Sequence, residues 1–128
     1  MVKGIEHVGL CAQNPEQLVE WYVSVLNCEV VHSIKERLTF FLRFPGGGML
    51  EVYPATDRTT PVGNLYSGLR HLAIKVDDFD SDCEYLIGHG ADLISEMTVK
   101  NQDMKLAFFR DPEGNLLHFV QRFGNVSW

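Results

Sequence analysis

A chain of 128 residues, 45% hydrophobic and 11% aromatic, is long enough to bury one respectable core. Its formal net charge of -6 excludes nucleic acid and anionic membrane as main partners, because phosphate recognition draws its affinity from basic surface and no basic run is present. No apolar stretch approaches the ~20 residues of a membrane span, and MVKGIEHVGLC lacks the apolar centre of a signal peptide. A cytoplasmic location is therefore expected. Cys11, Cys28 and Cys83 are odd in number and widely spaced in apolar or helical contexts. They read as core thiols, not as a disulfide framework or a cysteine-based zinc site.

In chain order, residues 4–11 alternate as a strand. Asn14-Pro15-Glu16-Gln17 then opens a helix, with Asn as N-cap and Pro in the first position. Leu18, Trp21, Tyr22 and Val25 follow at helical spacing, and the pattern fails near Asn27. Strands are expected at about 29–36, 38–44 and 48–54, the last two joined by Pro45-Gly46-Gly47-Gly48. Trp21 and the phenylalanines at 40, 41 and 44 are read as core. Residues 55–67, polar and punctuated by Pro and Gly, are a linker. A strand at 69–76 leads through Asp77-Asp78 into a helix with Phe79, Cys83, Leu86 and Ile87 inward, ended by Gly88-His89-Gly90. Strands near 92–98, 104–110 and 115–122 complete the chain.

The two halves repeat one another. A shift of 64 brings IEHVGL onto LRHLAI, and with it His7 onto His71. A shift of 67 brings FLRFPGGGMLEV onto FFRDPEGNLLHF, matching Phe41 to Phe108, Arg43 to Arg110 and Glu51 to His118. The chain is thus read as a single domain, 1–128, built from two βαβββ modules at about 1–54 and 68–123.

Strand parity then sorts the polar residues. His7 shares a face with Gly9, His71 with Ala73, Glu51 with Met49 and Tyr53, and His118 with Leu116 and Val120. Each module offers one polar group from its first strand and one from its last, and Gly9 and Ala73 leave room beside the histidines. Three imidazoles and one carboxylate suit one divalent transition metal, Zn, Ni, Co, Fe or Mn, with positions left for water or substrate. An unpaired carboxylate in an apolar strand would otherwise cost several kcal/mol. Arg43 and Arg110 are read as surface or turn-bracing residues, and His32 and His89 as exposed residues without a role.

The duplicated βαβββ pattern, EHVGL and RHLAIKVDD around the two histidines, and DPEGNLLHF resemble the vicinal oxygen chelate superfamily over almost the whole chain. That group includes glyoxalase I, extradiol dioxygenases, methylmalonyl-CoA epimerase and fosfomycin- or bleomycin-resistance proteins. The resemblance implies an α+β fold in which eight strands form two four-stranded mixed sheets wrapping a metal cup, helices outside. It implies His7, Glu51, His71 and His118 as metal ligands and a homodimer, in which pairing of units between chains would put ligands of two chains in one site. The implied chemistry is a metal holding neighbouring substrate oxygens while a carboxylate moves a proton.

Glyoxalase I normally has a glutamate base at the last ligand position, where this chain has His118. The positions that contact glutathione in bacterial glyoxalases, four residues after the first and second ligands, are Cys11 and Ala55, so a tripeptide substrate is not implied. Glu51 is then the ligand able to act as a strong base, and Glu51 and His118 are the candidate catalytic residues. Exchanging the last glutamate for histidine raises the formal charge of a divalent site from zero to plus one, which favours anionic, chelating substrates. The expected activity is that of a metal-dependent lyase or isomerase on a small dicarbonyl, hydroxy-carbonyl or enolisable metabolite. The alternatives are an Fe(II) dioxygenase of the same fold and a non-catalytic module that sequesters a drug or metabolite.

Overall fold

The computed structural model describes residues 1–57, 65, 67–99 and 103–124, with only the backbone of 96–99. The chain divides into two compact units, Met1–Thr60 and Pro61–Trp128. The first runs β1 (Val8–Ala12), α1 (Pro15–Leu26), β2 (Glu29–Ile34), a short 3₁₀ turn (Lys35–Arg37), β3 (Thr39–Arg43) and β4 (Met49–Pro54). The second runs β5 (Leu72–Lys75), α2 (Phe79–Gly88), β6 (Asp92–Val99), β7 (Met104–Arg110) and β8 (Leu116–Arg122). Most of the expected linker, 58–64 and 66, lies outside the described residues.

Each unit folds its strands into one four-stranded mixed sheet, ordered β1-β4-β3-β2 and β5-β8-β7-β6. In both, the first strand lies parallel to the last, and the remaining neighbours are antiparallel. The duplication extends to an irregularity: the register slips between Val30 and His32 in β2 and between Leu93 and Ser95 in β6. A bulge at the same place in both edge strands bends each away from further pairing.

Local chemistry explains the boundaries. Asn14 Oδ1 accepts from the Gln17 backbone N–H at 3.1 Å, Pro15 starts α1, and Asn27 closes it in the left-handed region at φ 56°. Asp78 caps α2 in the same way through the Ser81 N–H at 3.3 Å. Gln121 pins the start of α2 to β8, accepting from Phe79 N–H at 2.8 Å and donating to the Asp77 carbonyl at 2.6 Å. β1 and β5 are shorter than the alternation predicts, because β4 begins at Met49 and β8 at Leu116. Pairing therefore opens at Val8 with Leu50 and at Leu72 with Leu117, one residue after each histidine.

Each helix covers one face of its sheet. Leu18, Tyr22 and Val25 of α1 and Leu42, Leu50 and Val52 of the sheet are buried in the first unit. Phe79, Cys83 and Leu86 of α2 and Phe109, Leu117 and Phe119 of the sheet are buried in the second. Some expected core residues are not buried. Phe41 pairs with Glu51 and so lies on the face away from α1. Phe40, Phe44 and Trp21 are also partly exposed, and Ile87, one residue past the inward stripe of the short α2, is 47% exposed. Of the thiols, Cys28 and Cys83 are buried core residues, whereas Cys11 is exposed because its strand parity is that of Gly9.

The turn before β8 is built on Asp111, one of two buried polar residues in the described chain. Its carboxylate accepts from Glu113 N–H at 3.0 Å, Asn115 N–H at 2.9 Å and Asn115 Nδ2 at 2.8 Å. Arg110 Nη1 donates to the Gly114 carbonyl at 3.0 Å, the turn-bracing role read from the sequence. DPEGN is thus a rigid launch point that sets where β8 begins, and with it the parity of His118.

Candidate metal and substrate site

In the first unit, His7 stands just ahead of β1, and Gly9 lies opposite Glu51 in the β1–β4 register. His7 Nε2 is 3.2 Å from Glu51 Oε2, and His7 Nδ1 meets Glu6 Oε2. The imidazole lies between two carboxylates and its pKa is raised, first by the hydrogen bond to Glu6 and further by the charges of Glu6 and Glu51. The edge of Phe41 closes one side, its centroid 5.6 Å from the imidazole.

The room predicted beside His7 is taken. A Cβ on Gly9 would meet Tyr53 Cε1 at 3.1 Å and the Tyr53 hydroxyl at 3.3 Å, so the phenol ring lies across the glycine. The Tyr53 hydroxyl also hydrogen-bonds Cys11, the main reason its pKa is raised. His7, Glu51, Tyr53 and Cys11 therefore share the sheet face opposite α1.

The second unit repeats the arrangement with different chemistry. His71 stands just ahead of β5, and Ala73 lies opposite His118 in the β5–β8 register. The imidazoles of His71 and His118 stack with centroids 3.7 Å apart and planes 11° from parallel. Phe108, the counterpart of Phe41, packs its edge on His118 at 4.0 Å. His118 Nε2 is shielded from solvent and finds no hydrogen-bond partner among the described residues. Burial lowers the His118 pKa to about 4, with the charge of His71 a smaller cause, so the ring is neutral near pH 7.

A buried nitrogen left without a partner forfeits about 1–3 kcal/mol. A neutral imidazole with an orphaned nitrogen beside a second imidazole fits a metal ligand, since binding would return that lost interaction. The described residues gather no three or more His, Cys, Asp or Glu placed to hold a metal; His7 meets Glu51 and His71 meets His118 as pairs. Glu6, Phe41 and Phe108 were given no part in the site by sequence reasoning. Glu6 adjoins a candidate ligand, and the hairpin register through each turn places the phenylalanines opposite Glu51 and His118.

Two βαβββ units, each with a ligand-capable pair and an aromatic ring on the sheet face turned from its helix, define a duplicated mixed-sheet protein of the glyoxalase class. The chain belongs to the Glyoxalase/Bleomycin resistance protein/Dioxygenase superfamily, whose sequence model matches residues 4–119. It is 28% identical over 125 residues to a lactoylglutathione lyase of Neisseria meningitidis serogroup A, covering 91% of this chain and 88% of that protein. Among solved structures, it resembles a glyoxalase family protein from Enterococcus faecalis, with TM-score 0.75, 28% identity and coverage of 93% and 98% of the two chains. The fold is also that of the fosfomycin resistance protein FosX from Listeria monocytogenes, with TM-score 0.76, 16% identity and coverage of 94% and 93%. No helix among the described residues is long and apolar enough to cross a membrane.

Proposed function

We propose that the protein is a metal-dependent lyase or isomerase that acts on a small metabolite carrying neighbouring oxygens, with His7, Glu51, His71 and His118 holding one divalent transition ion. The observation that carries this reading is the orphaned, neutral His118 Nε2 beside His71, at the position matched in the other unit by Glu51. The bound ion would supply Lewis acidity, stabilising negative charge on substrate oxygens. The rest of the work falls to the chain. Glu51 is the carboxylate that accepts the proton α to the substrate carbonyl, and His7, His71 and His118 would be the imidazoles that hold the ion beside it. Phe41 and Phe108 supply apolar walls that keep water from the reacting carbon. With one carboxylate among the ligands the site carries a formal charge of plus one, which selects anionic, chelating substrates. The likeness to lactoylglutathione lyase supports a lyase, while Cys11 and Ala55 argue for a substrate other than a glutathione adduct.

The test is elemental analysis of the protein purified without added metal and after reconstitution with Zn, Ni, Co, Fe or Mn. The wild type is expected to hold one ion per site, and His7→Ala, His71→Ala and His118→Ala to lose it. A wild type that stays metal-free after reconstitution overturns the reading and leaves a sequestering module. Oxygen-dependent turnover confined to the Fe(II) form would make it a dioxygenase. Glu51→Gln should cut turnover about 10²–10⁴-fold, the usual worth of a positioned base, while metal remains bound.

A further inference from the structure

The two first-strand histidines differ in what precedes them. Glu6 stands before His7, and Arg70 occupies the matching place before His71. Arg70 turns to its own loop, donating to the Gly68 and Ser67 carbonyls at 3.1 Å each. Glu6 turns to its neighbour, and its Oε2 meets His7 Nδ1. The opposite ring nitrogen, Nε2, points at Glu51, 3.2 Å away.

Resting on the metal site proposed above, we infer that Glu6 is a positioning residue: it accepts the His7 Nδ1 proton, locks that tautomer and ring orientation, and so presents Nε2 beside Glu51 as the ligating atom. A ligating nitrogen must be unprotonated, so the remaining ring proton sits on the other nitrogen, where a carboxylate acceptor makes the ligand more basic. No step of the reaction passes through Glu6. Its effect is on metal affinity. Carboxylates that brace a ligating histidine are typically worth 10–100-fold, and Glu6, with its side chain 71% exposed, belongs at the low end because water competes for Nδ1.

The inference assigns His7 and His71 different duties. His7 is braced by Glu6 on the nitrogen away from Glu51, whereas His71 stacks on a second imidazole.

Zn(II) affinity is measured by competition with a chromophoric chelator in wild type, Glu6→Ala, Glu6→Gln and the charge control Glu20→Ala. Glu6→Ala should weaken binding about tenfold. Glu6→Gln, which keeps a neutral acceptor, should lose less, and Glu20→Ala should match wild type. A second readout does not need metal: nitrogen NMR of metal-free protein, above the imidazolium range, should find His7 with its proton on Nδ1 in wild type and on Nε2 in Glu6→Ala. If the wild type binds Zn(II) and Glu6→Ala binds it equally, the role of Glu6 falls while the metal site stands. If the wild type binds none, the proposed function falls, and the NMR result alone decides whether Glu6 sets the tautomer. Equal tautomer populations in wild type and Glu6→Ala overturn the inference.

Discussion

Gly9 is the residue at which the candidate site is most tightly drawn. The Tyr53 ring lies within 3.1 Å of the place a Cβ would occupy, on ordinary extended backbone that alanine otherwise tolerates. Gly9→Ala should therefore destabilise by about 1–3 kcal/mol through overpacking. Urea denaturation should show that cost, and the Tyr53→Ala background should remove most of it. The thiols separate at the same scale. Burial pushes the Cys28 pKa up to about 12, so the folded protein keeps a neutral thiol where an unfolded chain ionises near 9.0. Its contribution to stability is complete below pH 9 and is lost as pH rises toward 12, because only the unfolded state gives up the proton in that window. The high-pH fall in urea midpoint should be shallower in Cys28→Ala. Iodoacetamide in native buffer should label Cys11 alone, with Cys28 and Cys83 reacting only after unfolding.

At the scale of elements, the turn between β7 and β8 matters more to the site than its polar composition suggests. Asp111 is buried and accepts three hydrogen bonds from Glu113 and Asn115. Asp111→Ala leaves those donors unmatched and should cost about 3 kcal/mol by chemical denaturation. Asp111→Asn, which keeps one acceptor oxygen, should cost less. The loss should be accompanied by weaker metal retention, because β8 begins where this turn releases it and His118 is carried on that register. The helices were readable as elements from their ends, Asn14 with Pro15 for α1 and Asp77-Asp78 with Gly88-His89-Gly90 for α2, since capping and helix termination are local interactions. Their flanks were less so. Ile87 fits an inward stripe on spacing alone, yet a helix of 10 residues has too few turns to bury it along with Leu86.

For the whole molecule, ligand binding and stability are linked. An ion that binds the folded chain at a hundredfold excess over Kd adds about 2.7 kcal/mol, roughly 10 °C in Tm for a chain of this size. That rise should appear in wild type titrated with the metal it retains, and vanish in His118→Ala. A binding module without a metal requirement would show no such shift.

Four ligand candidates, the duplication and the superfamily were legible in the sequence, because they depend on residue identity, chain offset and the period of two of a strand. Glu51 and His118 lie in β4 and β8 opposite Gly9 and Ala73, and His7 and His71, just ahead of β1 and β5, meet them. Through-space relations were decided only by the fold. Glu6 turning to His7, Tyr53 filling the space over Gly9, and Phe41 and Phe108 lying against the imidazoles depend on rotamers and on the register of parallel and antiparallel neighbours. The protonation of His118 was likewise invisible in its identity, since the surrounding chain, by excluding water from Nε2, sets the cost of a charge there.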